Sequence, residues 1–140
     1  PVVSDSTYFA QMKLYEESQH HRGRPYIGEY LDEVTGYWLK GDQERSRYYN
    51  HSTFNDLVIT GICGLRPQDG NDVVVNPLLP DGTWDWFALD NVPYHGHNVT
   101  IIWDKDGSRY HHGKGLTVMV DGKIAGNRPD LGKLVCKNVL

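Results

Sequence analysis

Cysteine is scarce in this 140-residue sequence, with two residues, Cys63 and Cys136. That count rules out a cysteine-stapled scaffold and a four-cysteine metal site. Cys63 sits in an apolar stretch and Cys136 near the end, and two buried thiols is the expected reading, with a disulfide between them as the alternative. Charge of one sign is also scarce. The formal net charge is −4, and apart from Arg22 and Arg24 the basic residues are scattered. Nucleic acid is therefore not expected as the partner, because phosphate binding calls for a concentrated basic face. No apolar run approaches the roughly 18 residues that a membrane-crossing helix needs, so no membrane partner is expected. No signal peptide is recognisable, and the chain opens on Pro1 rather than Met, so an upstream segment is expected and the compartment stays open.

What is present is a folding composition with a change of character along its length. Hydrophobic residues make up 39% and charged residues 23%, a balance that can bury a modest core. Four Trp and nine Tyr supply large faces for that core, and any left at the surface suit the C–H faces of sugar rings. From Asp5 or Ser6, Tyr8, Phe9, Met12 and Tyr15 recur at helical spacing, and Gly23 and Pro25 end the pattern. A second helix is expected over 53–64, capped by Ser52. Its apolar residues, from Phe54 to Cys63, cover more than half the circumference, which predicts a helix buried nearly all round. Two helices cannot supply that burial, so the helical part reads as incomplete. Between them lies a loop of about thirty residues, partly helical around 43–49, and loops of that length inside a domain are usually functional.

After Arg66-Pro67 the signals are β. Val73 to Val75, Asp85 to Val92, Val99 to Trp103 and Leu116 to Val120 read as strands, with turns at Lys105-Asp106-Gly107 and Asp121-Gly122. The expected architecture is α+β, with a helical portion over 1–67 and an antiparallel β-sandwich over 68–140.

The long loop contains the strongest chemical candidate. Glu29 follows Gly28 and is flanked by Tyr26 and Tyr30, a setting in which aromatic neighbours exclude water from a carboxyl. Tyr26, Tyr30 and Trp38 are candidate walls of a sugar subsite, Arg24 (with Arg22) a candidate ligand for hydroxyls or a carboxylate, and His51 a candidate cavity residue at the helix entry. Asp32 reads as a turn residue. The histidines His95 and His97, with His20-His21 and His111-His112, invite a metal reading, but no ligand spacing such as H-E-x-x-H accompanies them, and no metal is expected.

The segment Glu29-Tyr30-Leu31-Asp32-Glu33-Val34-Thr35-Gly36 resembles the E-x-Y-(D/N)-P-x-T-G stretch near the end of the catalytic barrel in the processing α-glucosidase, trehalase and mannosylglycerate hydrolase group. The stretch from Tyr49 through Phe54 to Leu65 is similar to the one that leads into that barrel's last helix. Leu31 and Glu33 depart from the pattern, which has Tyr and Pro there, and His51 stands where Trp is frequent. The resemblance implies the terminal helices of an (α/α)6 barrel followed by β-structure. It also implies an inverting glycoside hydrolase with Glu29 as general base, and no cofactor. The general acid would lie upstream, so the rest of the barrel, on the same chain or a partner subunit, is an implied partner beside the carbohydrate substrate. A periplasmic or secreted home follows from the resemblance alone. The alternative is a non-catalytic carbohydrate-binding sandwich, with Trp84, Trp86, Phe87 and Tyr94 as its platform. A structural domain that docks on a larger chain is a third reading.

Overall fold

A computed structural model describes residues 2–49 and 53–140, which form two compact units divided at 53/54. The calls on Asn50, His51 and the Ser52 cap lie outside the described residues. The composition change at 67/68 falls inside the second unit.

The first unit opens with helix α1, Asp5–Ser18. Its cap is Ser4, whose Oγ accepts a hydrogen bond from Thr7 N at 3.1 Å, one residue ahead of the expected start. A short hairpin follows, β1 (His20–His21) against β2 (Arg24–Pro25), turned by Arg22 and Gly23 at φ 52° and 74°. The long loop is therefore ordered by backbone pairing. Isolated bridges join Gly28 to Arg47 and Leu31 to Trp38, and a 3₁₀ turn occupies Glu44–Ser46 within the stretch expected to be partly helical.

The second unit opens with α2, Phe54–Leu57, which widens into a π-helical stretch, Val58–Ile62. This corrects the expectation of one regular helix buried nearly all round. Leu57 is exposed, Val58 and Ile59 are half-buried, and burial is complete only from Gly61 to Leu65. The π turn shifts the register, so the apolar residues do not keep the positions a 3.6-residue period assigns them.

The remaining residues of this unit form two antiparallel sheets, the arrangement of a β-sandwich. One runs in the order β3 (Leu65–Arg66), β4 (Val73–Val75), β9 (Leu134–Cys136). The other runs β5 (Trp86–Tyr94), β6 (His97–Asp104), β7 (Gly115–Val120), β8 (Lys123–Arg128). The four expected strands are present, while β3, β8 and β9 had not been expected. Val73, Val75, Val99, Ile101, Leu116 and Val118 are fully inaccessible and make the centre of the core. Strand alternation puts Phe87 on this inner face at 7% exposure, which removes it from the expected sugar platform. Cys63 and Cys136 are buried free thiols, as expected, and burial pushes Cys63 up to a pKa of about 11. Among the described residues no helix is long and apolar enough to cross a membrane.

Candidate functional site

Glu29 owes its position to a small aromatic core in the first unit. Tyr26 packs edge-on against Trp38 at a centroid distance of 5.1 Å and tilts against His21 at 5.2 Å. Trp38 Nε1 donates to the carbonyl of His20 at 2.9 Å, tying the indole to the β1–β2 hairpin. Both rings are buried, Tyr26 at 7% exposure and Trp38 at 6%. Gly28 passes between them so closely that a Cβ there would stand 2.5 Å from Tyr26 Cε1 and 2.8 Å from Trp38 Cε3. The glycine before Glu29 is therefore a packing requirement, since no side chain fits beside the two rings.

The chain bends at Glu29. Tyr48 N donates to Ile27 O at 2.7 Å and Leu39 N to Tyr30 O at 3.1 Å, which fixes the backbone on either side of Glu29. The segment then turns at Asp32, whose Oδ1 accepts from Val34 N, Thr35 N and Thr35 Oγ1. These bonds, Thr35's backbone first, hold the Asp32 carboxyl below its ordinary pKa. Asp32 is a turn residue, as its sequence context suggests.

The Glu29 side chain is half-buried. Its Oε2 accepts from Ser46 Oγ at 3.3 Å, and Ser46 is 1% exposed. Tyr30 is exposed, with Lys40 Nζ 4.0 Å from the centre of its ring. Glu29 raises the pKa of the Tyr30 phenol, first through a side-chain hydrogen bond and then through its charge. The arrangement gives a carboxylate bonded by the buried Ser46 hydroxyl and by the phenol of the exposed Tyr30.

A concavity of about 960 Å³ lies in the same unit, lined among others by His21, Arg24, Tyr26, Asp42 and Arg47. Arg24 and Tyr26 thus share one hollow, whereas Glu29, Tyr30 and Trp38 are not among the residues lining it. Asp42 accepts from His21 Nε2 at 3.1 Å and pairs with Arg22 at 2.8 Å. These contacts, the His21 hydrogen bond first, keep its carboxyl below the ordinary pKa. The Tyr26 hydroxyl is buried without a hydrogen-bond partner. Sequence reasoning missed Ser46, Asp42 and Arg47, because each reaches the site through the 3₁₀ turn and its flanks, which bring residues about 20 positions apart together. No local motif announces them.

The histidines singled out in the sequence are dispersed. His95 stacks on Tyr94 at 4.2 Å, and His97 Nδ1 pairs with Asp121 Oδ2 at 2.7 Å. Among the described residues no group of three or more His, Cys, Asp or Glu could hold a metal ion.

Residues 65–125 match the family model described as glycosyl hydrolase family 65, C-terminal domain. A solved structure of a protein named Sialidase is similar to the whole chain, at 70% sequence identity and a TM-score of 0.95. That match covers 100% of this chain and 13% of the other, so the chain spans a small part of that relative's length. The family-model match spans less than half of the chain.

Proposed function

We propose that this chain is the C-terminal part of an enzyme that cleaves glycosidic bonds of oligo- or polysaccharides with inversion, with Glu29 as general base. In this reading residues 1–67, strand β3 excepted, supply the last helical portion of an (α/α)6 barrel, and residues 68–140 together with β3 form an accessory sandwich. The rest of the barrel, from the same chain or a partner subunit, supplies the general acid. The observation that carries the reading is the setting of Glu29. Its carboxylate is half-buried, held by the buried Ser46 hydroxyl, and placed beside the exposed Tyr30.

The chemistry asks this of the carboxylate. Inversion proceeds by one displacement at the anomeric carbon, in which the base takes a proton from water as the oxygen attacks. The acid protonates the leaving oxygen from the opposite side, and the two carboxyls stand about 6.5–9.5 Å apart to admit the water. A base in this role works best when it cannot rotate away from the water, and a fixed hydroxyl behind it serves that end. Tyr30 and Trp38 would belong to the subsite, Trp38 by backing the segment that carries Glu29. Tyr26 and Arg24, on the neighbouring concavity, are the proposed contacts for a substrate's polar groups, and His51 remains a proposed cavity residue.

The name of the similar solved protein bears on substrate class. A sialylated glycan carries a carboxylate, and Arg24 and Arg47 line the same hollow as cations suited to it. The test is the full-length enzyme with Glu29→Gln, assayed on neutral and sialylated oligosaccharides, with the anomer of the first product followed by NMR. Turnover several orders of magnitude lower in the variant, and an inverted product from the wild type, support the reading. Near-normal turnover in the variant or a retained anomer overturns it.

A further inference from the structure

The four-stranded sheet has a second face, away from the core. In register across it stand Ala88, Ile102 and Thr117, with Trp86 at one end and Thr100 and Met119 toward the other. The loop 105–114 between β6 and β7 is pinned by Asp104, whose carboxylate accepts from the backbone amides of Gly107, Arg109 and Tyr110. This pinning sets the Arg109 guanidinium 4.4 Å over the Trp86 ring and Tyr110 edge-on to it at 6.3 Å. Trp86 nonetheless remains 48% exposed and Trp84 44%.

Two hollows lie along this face. One, of about 540 Å³, is walled by Trp84, Asp85, Trp86 and Tyr110. The other, of about 380 Å³, is lined by Asp90, Asn91, Thr100 and His112. Ala88 and Tyr110 line both, so the hollows adjoin. In the second, which Ile102 and Met119 also line, Asp90 accepts from the Thr100 hydroxyl at 2.9 Å and from the Asn91 amide at 3.1 Å, and a bulge at Asn91, φ 52°, turns the strand there.

We infer that this face is a carbohydrate-binding surface, which takes a neutral oligosaccharide with one ring stacked on the side of Trp86 that Arg109 leaves free and the next laid toward Asp90, Asn91 and His112. An indole with its ring fixed by Arg109 and Tyr110 offers a flat, immobile platform, and stacking on it loses little side-chain entropy. The polar end supplies both acceptors and donors, as a ring of hydroxyls requires. A nucleic-acid strand would also stack on Trp86 but meets the carboxylates of Asp85 and Asp90, while of the nearby cations Lys105 is paired with Asp85 at 2.9 Å and Arg109 is engaged over the Trp86 ring. The inference goes beyond the hydrolase reading, since binding at this face needs no role for Glu29.

The test reads binding in the full-length protein carrying Glu29→Gln, by its retardation in native gels containing soluble starch, xylan, galactomannan or mucin. At least one neutral polysaccharide is expected to retard it. Trp86→Ala is expected to weaken that retardation by about tenfold, and His112→Ala, an exposed change, by about threefold. In the wild-type background Trp86→Ala is expected to leave hydrolysis of a small aryl glycoside unchanged. No retardation in any gel, retardation equal in all variants, or retardation by mucin alone overturns the inference. So does loss of small-substrate turnover or of soluble protein with Trp86→Ala, which would mean that the face is packed against the rest of the enzyme. Because the readout is binding, its failure is distinct from a finding that Glu29 is not the base.

Discussion

Ser46 and Glu29, seventeen residues apart, meet through a single hydrogen bond from the Ser46 hydroxyl to Glu29 Oε2 at 3.3 Å. The serine is almost wholly buried, so its hydroxyl is fixed by packing while the carboxylate it holds stays half-open to solvent. If Glu29 is the base, Ser46 is a positioning residue. Ser46→Ala removes one hydrogen bond to a charged group, a loss of about 1.5 kcal/mol or somewhat more. The expected result in the full-length enzyme is a kcat about tenfold lower with KM changed less than about twofold. A variant with unaltered kcat and only a lower melting temperature would show Ser46 to be purely structural.

Gly64 marks a very close backbone approach in the second unit. Its φ is +83°, and a Cβ there would lie 2.2 Å from Pro77 N and 2.3 Å from the Asn76 carbonyl carbon. Neither atom can yield without breaking the bond from Asn76 N to Gly64 O. Gly64→Ala is expected to cost more than about 3 kcal/mol and to abolish soluble expression. Gly122, at φ +77° in the β7–β8 turn, faces open space, so Gly122→Ala carries conformational strain alone, about 1 kcal/mol. Comparing the soluble yields of the two variants separates clash from strain.

Asp104 organises the 105–114 loop from within the protein at 1% exposure. Its two oxygens receive three backbone N–H groups. Asn in its place turns an acceptor into a donor aimed at those amides and leaves at least one of them unsatisfied, at a cost of about 1–3 kcal/mol. The expected outcome of Asp104→Asn is faster limited proteolysis within 105–114 together with a lower melting temperature. Equal proteolysis rates would show that the loop is held by Arg109 and Tyr110 on Trp86 instead.

Acid sensitivity has a defined contributor at Asp121. The Asn98 backbone N–H and then the His97 side chain hold its carboxyl below the ordinary 3.8. A depressed native pKa means that the unfolded chain takes up the proton first as pH falls. Stability from this group is therefore complete above about pH 5 and is lost as pH drops through the native pKa, below 3.8. Asp121→Asn is expected to show a flatter decline of melting temperature than the wild type from about pH 5 to about pH 2. Parallel declines would remove Asp121 from the acid transition.

Some of this molecule is dictated by local chemistry and can be read from the residues alone. Tyr8, Phe9, Met12 and Tyr15 recur at the spacing of α1, and a β-branched run makes β4 where Val73 to Val75 stand. Asp121-Gly122 turns β7 into β8 because its residues accept the positive φ that such a turn demands. Asp32 closes its turn with hydroxyl and amide neighbours two and three positions away, and Glu29 is legible as a candidate through its Gly and Tyr neighbours. Other features exist only once distant segments meet. The π turn at Val58–Ile62 overrides the 3.6-residue period on which the buried-helix expectation rested. The strands β8 and β9 carry little apolar alternation, and they form because β7 and β4 offer them hydrogen-bonding edges. Ser46 behind Glu29, Tyr110 beside Trp86, and the separation of Phe87 from that platform likewise depend on which chain returns to which face. Periodicity and turn chemistry act over a few residues, so they fix the elements. Pairing and burial act between residues twenty or more apart, and they alone decide which side chains share a site.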